Sequence, residues 1–455
     1  MNLRKWHQKA GITAGLFLFI LALTGFFLNH DQWKFQYHWT LPNSILPEAV
    51  AEADIKLFQT KTLHPANSQW IILGGLRGVF VSQDGGQHYQ QSSQQQFYAL
   101  SWVGETLYAA TDNGVLRSTD FGIHWKPWAL QGRWVNALAV DGDSLLASVD
   151  KSQLVHLSLE GQILREGGVN IPESELAPSI TLSRFVRDFH YGRGFLDDGW
   201  SLWLNDIATW ILILSIFTGV FTWWSLKRAR VKRQISRAKM GWVKRSIRIH
   251  RHGVMLLALP FLVLFAITGI VLDHSAFFSP YLKEVKWSQS TLPPVYQTLR
   301  EDIWAVDIEE DENHQPIYRI GNRYGVYESR DLTTWKIVSE GFAYRMQRLG
   351  ETLYVSGMGS SPRSYHSDLG WQVLEAPSMF RNVYQSTESV GFFGGHGERA
   401  DWQVPMLKNS TFYSIMLTLH DGTFFASWWI WVNDFASVLL LLLLITGVIR
   451  WKKSI

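Results

Sequence analysis

RKWHQKAGITAGLFLFILALTGFFLNH, residues 4–30, and HRHGVMLLALPFLVLFAITGIVLDH, residues 250–274, decide the fold. Ala10 to Asn29 in the first and Gly253 to Leu272 in the second carry no charge for about 20 residues, enough helix to cross a roughly 30 Å hydrocarbon layer. Both close on one pattern, Leu23-Thr24-Gly25-x4-His30 and Ile267-Thr268-Gly269-x4-His274. A third uncharged run covers Ile207 to Leu226. A fourth, Phe435 to Ile449, is shorter, but Trp428, Trp429 and Trp431 precede it and suit the membrane interface. The sequence therefore predicts four spans.

The returning spans also match. His190-Tyr191-Gly192, Asn205-Asp206 and Thr218-Gly219 in the first half have His420-Asp421-Gly422, Asn433-Asp434 and Thr446-Gly447 as counterparts in the second. This predicts a mixed membrane protein, a four-helix transmembrane bundle of two repeated halves, each of the form helix, insert, helix. The expected boundaries are 1–29 for span one, 30–200 for insert one, 201–226 for span two and 227–252 for a basic loop. Span three follows at 253–273, insert two at 274–428 and span four at 429–455.

Charge orients the bundle. Lys227 to Arg251 holds eleven Lys and Arg and no acid, and Arg4, Lys5, Lys9, Arg450, Lys452 and Lys453 fall on the same side. Positive loops face the cytoplasm, so both termini are expected inside a bacterial inner membrane and both inserts in the periplasm. Contact with anionic lipid explains the basic loop better than nucleic acid does. The N-terminal run shows no small-residue cleavage site and reads as an uncleaved anchor. The chain has no cysteine. Disulfides, thiolate-held clusters, covalent haem attachment and thiol catalysis are thereby excluded.

The inserts are punctuated by glycine and carry short alternating runs such as Trp70-Ile71-Ile72-Leu73, so they are expected to be β-rich. Ser82-Gln83-Asp84-Gly85-Gly86-Gln87-His88-Tyr89 returns as Ser118-Thr119-Asp120-Phe121-Gly122-Ile123-His124-Trp125, with a weaker copy at Ser329 to Trp335. These resemble Asp-box turns, in which the carboxylate caps a tight turn. About three such units per insert suit a six-bladed propeller shared by both; a β-sandwich is the alternative.

Histidines mark the membrane boundaries. His7 and either His250 or His252 lie at the inner ends of spans one and three, His30 and His274 at their outer ends, and His190 and His420 just before the returning spans. His7 and His30 stand 23 residues apart, about 34 Å of helix at roughly 1.5 Å per residue. Two layers of neutral imidazole could hold one or two non-covalent b-type haems. His7, His30, His190, His250, His274 and His420 are the candidate iron ligands. Gly11 and Gly15 follow His7 on one helical face and read either as a flat strip for a porphyrin or as a helix contact. The Thr-Gly pairs read as helix-packing devices.

Arg4-Lys5-Trp6-His7-x3-Gly11-x3-Gly15, Ala22-Leu23-Thr24-Gly25, His190-x-Gly192 and their second-half equivalents resemble the PepSY-associated transmembrane family. The resemblance covers the membrane segments and their flanks. It implies iron acquisition, with some members similar to haem-b ferric-siderophore reductases, and the six boundary histidines as ligand candidates. The expected activity is electron transfer to a periplasmic ferric chelate. No G-x-G-x-x-G is present, so a quinol or a separate reductase would supply electrons. A membrane-anchored periplasmic binding or sensory protein without enzymatic activity is the alternative. Transport is disfavoured because the span centres carry no ionisable residue.

Overall fold

Among the described residues of the computed structural model, four helices are long and apolar enough to cross a membrane: Lys5–Asn29, Trp200–Val231, Met255–Asp273 and Ser427–Lys452. We refer to them as spans one to four. The structure describes residues 3–196, 199–232, 237–299, 302–385 and 389–452; Lys453 and part of the basic loop, residues 233–236, lie outside these. The chain is a multi-pass membrane protein.

Helix chemistry explains where the spans begin. In span three, Gly253–Ala258 forms a 3-10 segment, and the α-helix Leu259–Asp273 starts with Pro260 in its first turn. Proline is accommodated there because the first amides of a helix have no intrahelical acceptor. Span four is longer than its apolar run suggested. Ser427–Trp429 forms a 3-10 turn leading into Ile430–Lys452, with Trp428 and Trp431 exposed as an interfacial belt requires. Leu16, Phe217, Leu442 and Ile445 also point outward. Lipid removes the cost that water would impose on such a surface.

The chain separates into two compact units, and each spanning helix belongs to the first, which comprises Met1–Ala53, Phe185–Val285 and Asn409–Ile455. Spans one and four, one and two, and three and four pack side by side, and spans two and three also touch. The centre is built of small and aliphatic side chains: Ala14 and Leu18 of span one meet Ala266 of span three and Ala436 and Leu440 of span four. Two of the shorter helices end in this unit, ahead of the returning spans. Leu182–His190 precedes span two and Phe412–Asp421 precedes span four. The second ends in Gly422 at φ +84°, and Gly192 at φ +67° follows the first. Each glycine takes the left-handed conformation that turns the chain into the returning span.

The second unit, Asp54–Arg184 with Lys286–Lys408, is β-rich. Among the described residues it holds five four-stranded sheets and one three-stranded sheet. Their first strands are Phe58–His64, Val135–Asp141 and, between them, Phe97–Val103 in the first insert, and Ala305–Glu310, Arg345–Leu349 and Asn382–Gln385 in the second. Each first strand neighbours that of the next sheet, and the sixth neighbours the first. Apolar side chains fill the spaces between successive sheets: Ile72 and Val81 pack with Phe97 and Leu107, and Phe58 and Leu73 with Phe393.

In all three Asp-box turns a serine hydroxyl donates to the aspartate two residues on. Ser82 Oγ donates to Asp84 Oδ1 at 2.8 Å and accepts from the Gly86 amide at 2.9 Å, while the His88 amide donates to the same carboxylate. Ser118, Asp120, Gly122 and His124 repeat these bonds. At the third turn, Ser329 and the amides of Thr333 and Thr334 converge on Asp331. Every turn connects the third and fourth strands of its sheet.

Charged pairs are buried in this unit. The Arg323 guanidinium donates to Asp302 at 2.8 Å, and both residues are at least nine-tenths buried. Trp304 Nε1 and the Arg323 amide also donate to that carboxylate. Removing one partner of such a pair costs about 3–5 kcal/mol, because the other charge stays buried without compensation. Asp302→Ala should therefore lower the urea midpoint of the full chain, followed by tryptophan fluorescence in detergent. An unchanged midpoint would show that the pair adds no net stability.

Candidate functional site

Four of the six candidate histidines meet in two pairs, and both pairs lie in the helical unit. His7 of span one faces His250, the last residue of the helix Arg237–His250, with ring centroids 6.1 Å apart and an interplanar angle of 72°. His190, the last residue of one short helix, and His420, the penultimate residue of the other, face each other at 6.3 Å and 55°. His252 is exposed, whereas His250 turns toward His7.

Each of these rings is held by a threonine of a spanning helix. His7 Nδ1 lies 2.8 Å from Thr446 Oγ1 and His250 Nδ1 lies 3.1 Å from Thr218 Oγ1. His190 Nδ1 lies 2.9 Å from Thr268 Oγ1, and His420 Nδ1 lies 2.9 Å from Thr24 Oγ1. In each case the histidine comes from one half of the chain and the threonine from the other.

The glycine after each threonine makes room for the ring. A Cβ on Gly25 would stand 3.2 Å from His420 Cε1, and one on Gly219 would stand 3.3 Å from His250 Cε1. At Gly269 and Gly447 the corresponding distances to His190 and His7 are 3.7 and 3.8 Å. The Thr-Gly pairs, read from sequence as packing devices, therefore seat the histidines. Thr24, Thr218, Thr268 and Thr446 are site residues that the sequence reading assigned to helix packing alone. The available signal was a polar residue recurring before glycine in all four apolar spans.

Gly11 and Gly15 do something else. Their missing side chains face Leu443 of span four, and Ile216 and Val220 of span two, at 3.6–3.8 Å. They allow close helix contact, the second of the two readings the sequence left open.

His30 and His274 join neither pair. His30 Nδ1 donates to the Phe26 carbonyl at 2.8 Å, and its Nε2 faces Asp206 at 3.3 Å. His274 Nε2 lies 2.6 Å from Asp434. The carboxylates of the two Asn-Asp motifs thus each face the Nε2 of one of these histidines. Asn433 Nδ2 donates to the His420 carbonyl at 3.0 Å and caps the short helix that carries that ligand candidate. Asn205, its counterpart, packs against Gly192.

Burial favours neutral imidazole. It pushes His190 down to about 3 and His420 down to about 4, and it lowers His250 in the same sense. Neutral imidazole is the form that ligates metal. Among the described residues no three histidines or carboxylates cluster as a metal cage would require. The arrangement is one of opposed imidazole pairs.

The pair separation can be tested against haem iron. Two imidazoles on opposite faces of one iron, with a metal–nitrogen distance of about 2.0 Å and about 1.1 Å more to each ring centroid, place the centroids roughly 6 Å apart. The two centroid separations, 6.1 and 6.3 Å, are of that size. The pairs are also closer than His7 and His30 suggested. His420 sits at the level of Thr24, 17 residues beyond His7, or about 25 Å along span one.

No curated protein matches the chain. Solved structures similar to it include an ancestral GH74 enzyme, at TM-score 0.32 and 9% identity, covering 72% of this chain and 33% of the other. The extracellular domain of a hybrid two component system from B. thetaiotaomicron matches at TM-score 0.34 and 10% identity over 74% of this chain and 31% of its own. The same extracellular domain described as part of a one component system gives 0.33 and 11% over 75% and 38%. This chain thus spans about a third of the length of those it resembles. The sequence profile of the PepSY-associated TM region, by contrast, matches residues 4–453, and the chain belongs to that family.

Proposed function

We propose that the protein is a transmembrane electron carrier that holds two non-covalent b-type haems and passes electrons to a ferric chelate outside the inner membrane. The observation that carries this reading is the recurrence of one arrangement at two levels of one bundle: opposed histidines 6.1 and 6.3 Å apart, each tied at Nδ1 to a spanning helix. His7 and His250 would hold the inner group, and His190 and His420 the outer one. Bound haem would supply one-electron exchange between ferric and ferrous iron.

The chain's own contribution is position and dryness. Ala14, Leu18, Ala266, Ala436 and Leu440 fill the bundle between the two levels and exclude water. The ferric substrate and the role in iron acquisition follow from the family resemblance. Chelates with oxygen donors hold hard Fe³⁺ far better than the reduced ion, so reduction would release the metal. Electrons would enter from quinol or a separate reductase. We further read the six sheets, whose first strands neighbour one another in a cycle, as the blades of a propeller in the periplasm, with the basic loop and both termini in the cytoplasm.

Detergent-purified protein from haem-replete cells should show a sharp reduced-state α-band, and pyridine extraction should return two b haems per chain. His7→Ala or His250→Ala should remove one, and His190→Ala or His420→Ala the other. His30→Ala and His274→Ala should retain both. A colourless protein would overturn the proposal and leave an anchored binding or sensory protein as the better account.

Glycine spacing yields a finer expectation. Gly25→Ala should shift the spectrum of the outer haem more than Gly269→Ala, because the added methyl meets His420 at 3.2 Å rather than His190 at 3.7 Å. Equal shifts would show that the seat does not constrain the ring.

A further inference from the structure

A threonine hydroxyl has a single proton to give. In each span that proton is committed: Thr24 Oγ1 lies 2.7 Å from the Ile20 carbonyl, Thr218 from Leu214, Thr268 from Leu264 and Thr446 from Leu442, all at 2.7 Å. A carbonyl oxygen can only accept, so the hydroxyl donates in every one of these contacts. The same Oγ1 atoms lie 2.8–3.1 Å from the four Nδ1 atoms. The remaining proton of each of those hydrogen bonds must then come from the ring.

We infer that Thr24, Thr218, Thr268 and Thr446 are positioning residues that fix His420, His250, His190 and His7 as the Nδ1–H tautomer and leave each Nε2 lone pair for the metal. The inference rests on the haem reading above. A neutral imidazole protonated at Nδ1 has its only in-plane lone pair on Nε2. Metal-bound histidine ordinarily donates its second N–H to an acceptor that sets both orientation and basicity. Here that acceptor is itself polarised, because its own proton is drawn toward the backbone four residues earlier.

The arrangement also links the halves. His7 and His190 of the first half rest on Thr446 and Thr268 of the second, and His250 and His420 of the second half rest on Thr218 and Thr24 of the first. Each level thereby receives one ring from each half, oriented by the opposite half. A simple helix staple would use the same hydrogen bonds without tuning a metal, and electronic measurements separate the two roles.

The test uses the full-length chain in detergent, with Thr→Val at each position singly and Thr→Ser as the conservative control. Haem content, midpoint potential and low-spin EPR are recorded for each. Loss of the acceptor makes the imidazole a poorer donor to ferric iron. Each Val variant should therefore raise the potential of one haem, inner for Thr218 and Thr446 and outer for Thr24 and Thr268. It should also weaken haem retention by roughly 10–100-fold, while the Ser variants stay close to the parent. Thr→Ala, which also removes the hydroxyl, repeats the test wherever a Val chain fails to accumulate. A parent with two b haems whose Val variants keep its potentials, EPR and haem content would overturn the inference alone. A parent without haem would overturn the haem reading and this inference with it.

Discussion

In hydrocarbon every polar group must find its partner inside the protein, and the four threonine hydroxyls of this bundle depend on that constraint. Each gives its proton to the carbonyl one turn back. The oxygen that remains can only accept, and what approaches it is a histidine ring from the other half of the chain. Position, tautomer and the facing of one ring toward another follow from a bond that the backbone has already polarised.

The other repeated motifs assist that arrangement. His-x-Gly ends a short helix, because glycine at positive φ lets the chain leave the helix there. The carboxylates of Asn205-Asp206 and Asn433-Asp434 tie the returning spans to His30 and His274. These two histidines then act as clamps between consecutive spans, while the pairs join one half to the other. One residue type thus serves two purposes, separated by whether a carboxylate or a hydroxyl lies within reach of its nitrogens.

The β-rich unit follows a different physical logic. Its turns are fixed locally by a carboxylate that accepts backbone amides, and its sheets are held by apolar side chains packed between neighbours. Arg319, which is almost fully buried, is met by Asp307, Glu309 and Glu328. Cations at such depth require dedicated partners. The Asp-box residues are explained by turn geometry and need no ligand chemistry.

Length and apolarity were enough to predict four spans, because crossing the hydrocarbon layer is a requirement on composition alone. Short-range patterns likewise predicted β-rich inserts and their capped turns, since an Asp-box forms from residues within one turn. Six histidines at membrane boundaries were legible as candidates for the same reason. Pairing was not legible: His7 meets His250 and His190 meets His420 across hundreds of residues, and no local spacing encodes such contacts. Nor could the sequence reveal that Thr24, Thr218, Thr268 and Thr446 grip the rings, or that Asp206 and Asp434 occupy His30 and His274. Helix packing decided those assignments, because the role of an imidazole depends on which acceptor another part of the chain brings within about 3 Å of its nitrogens.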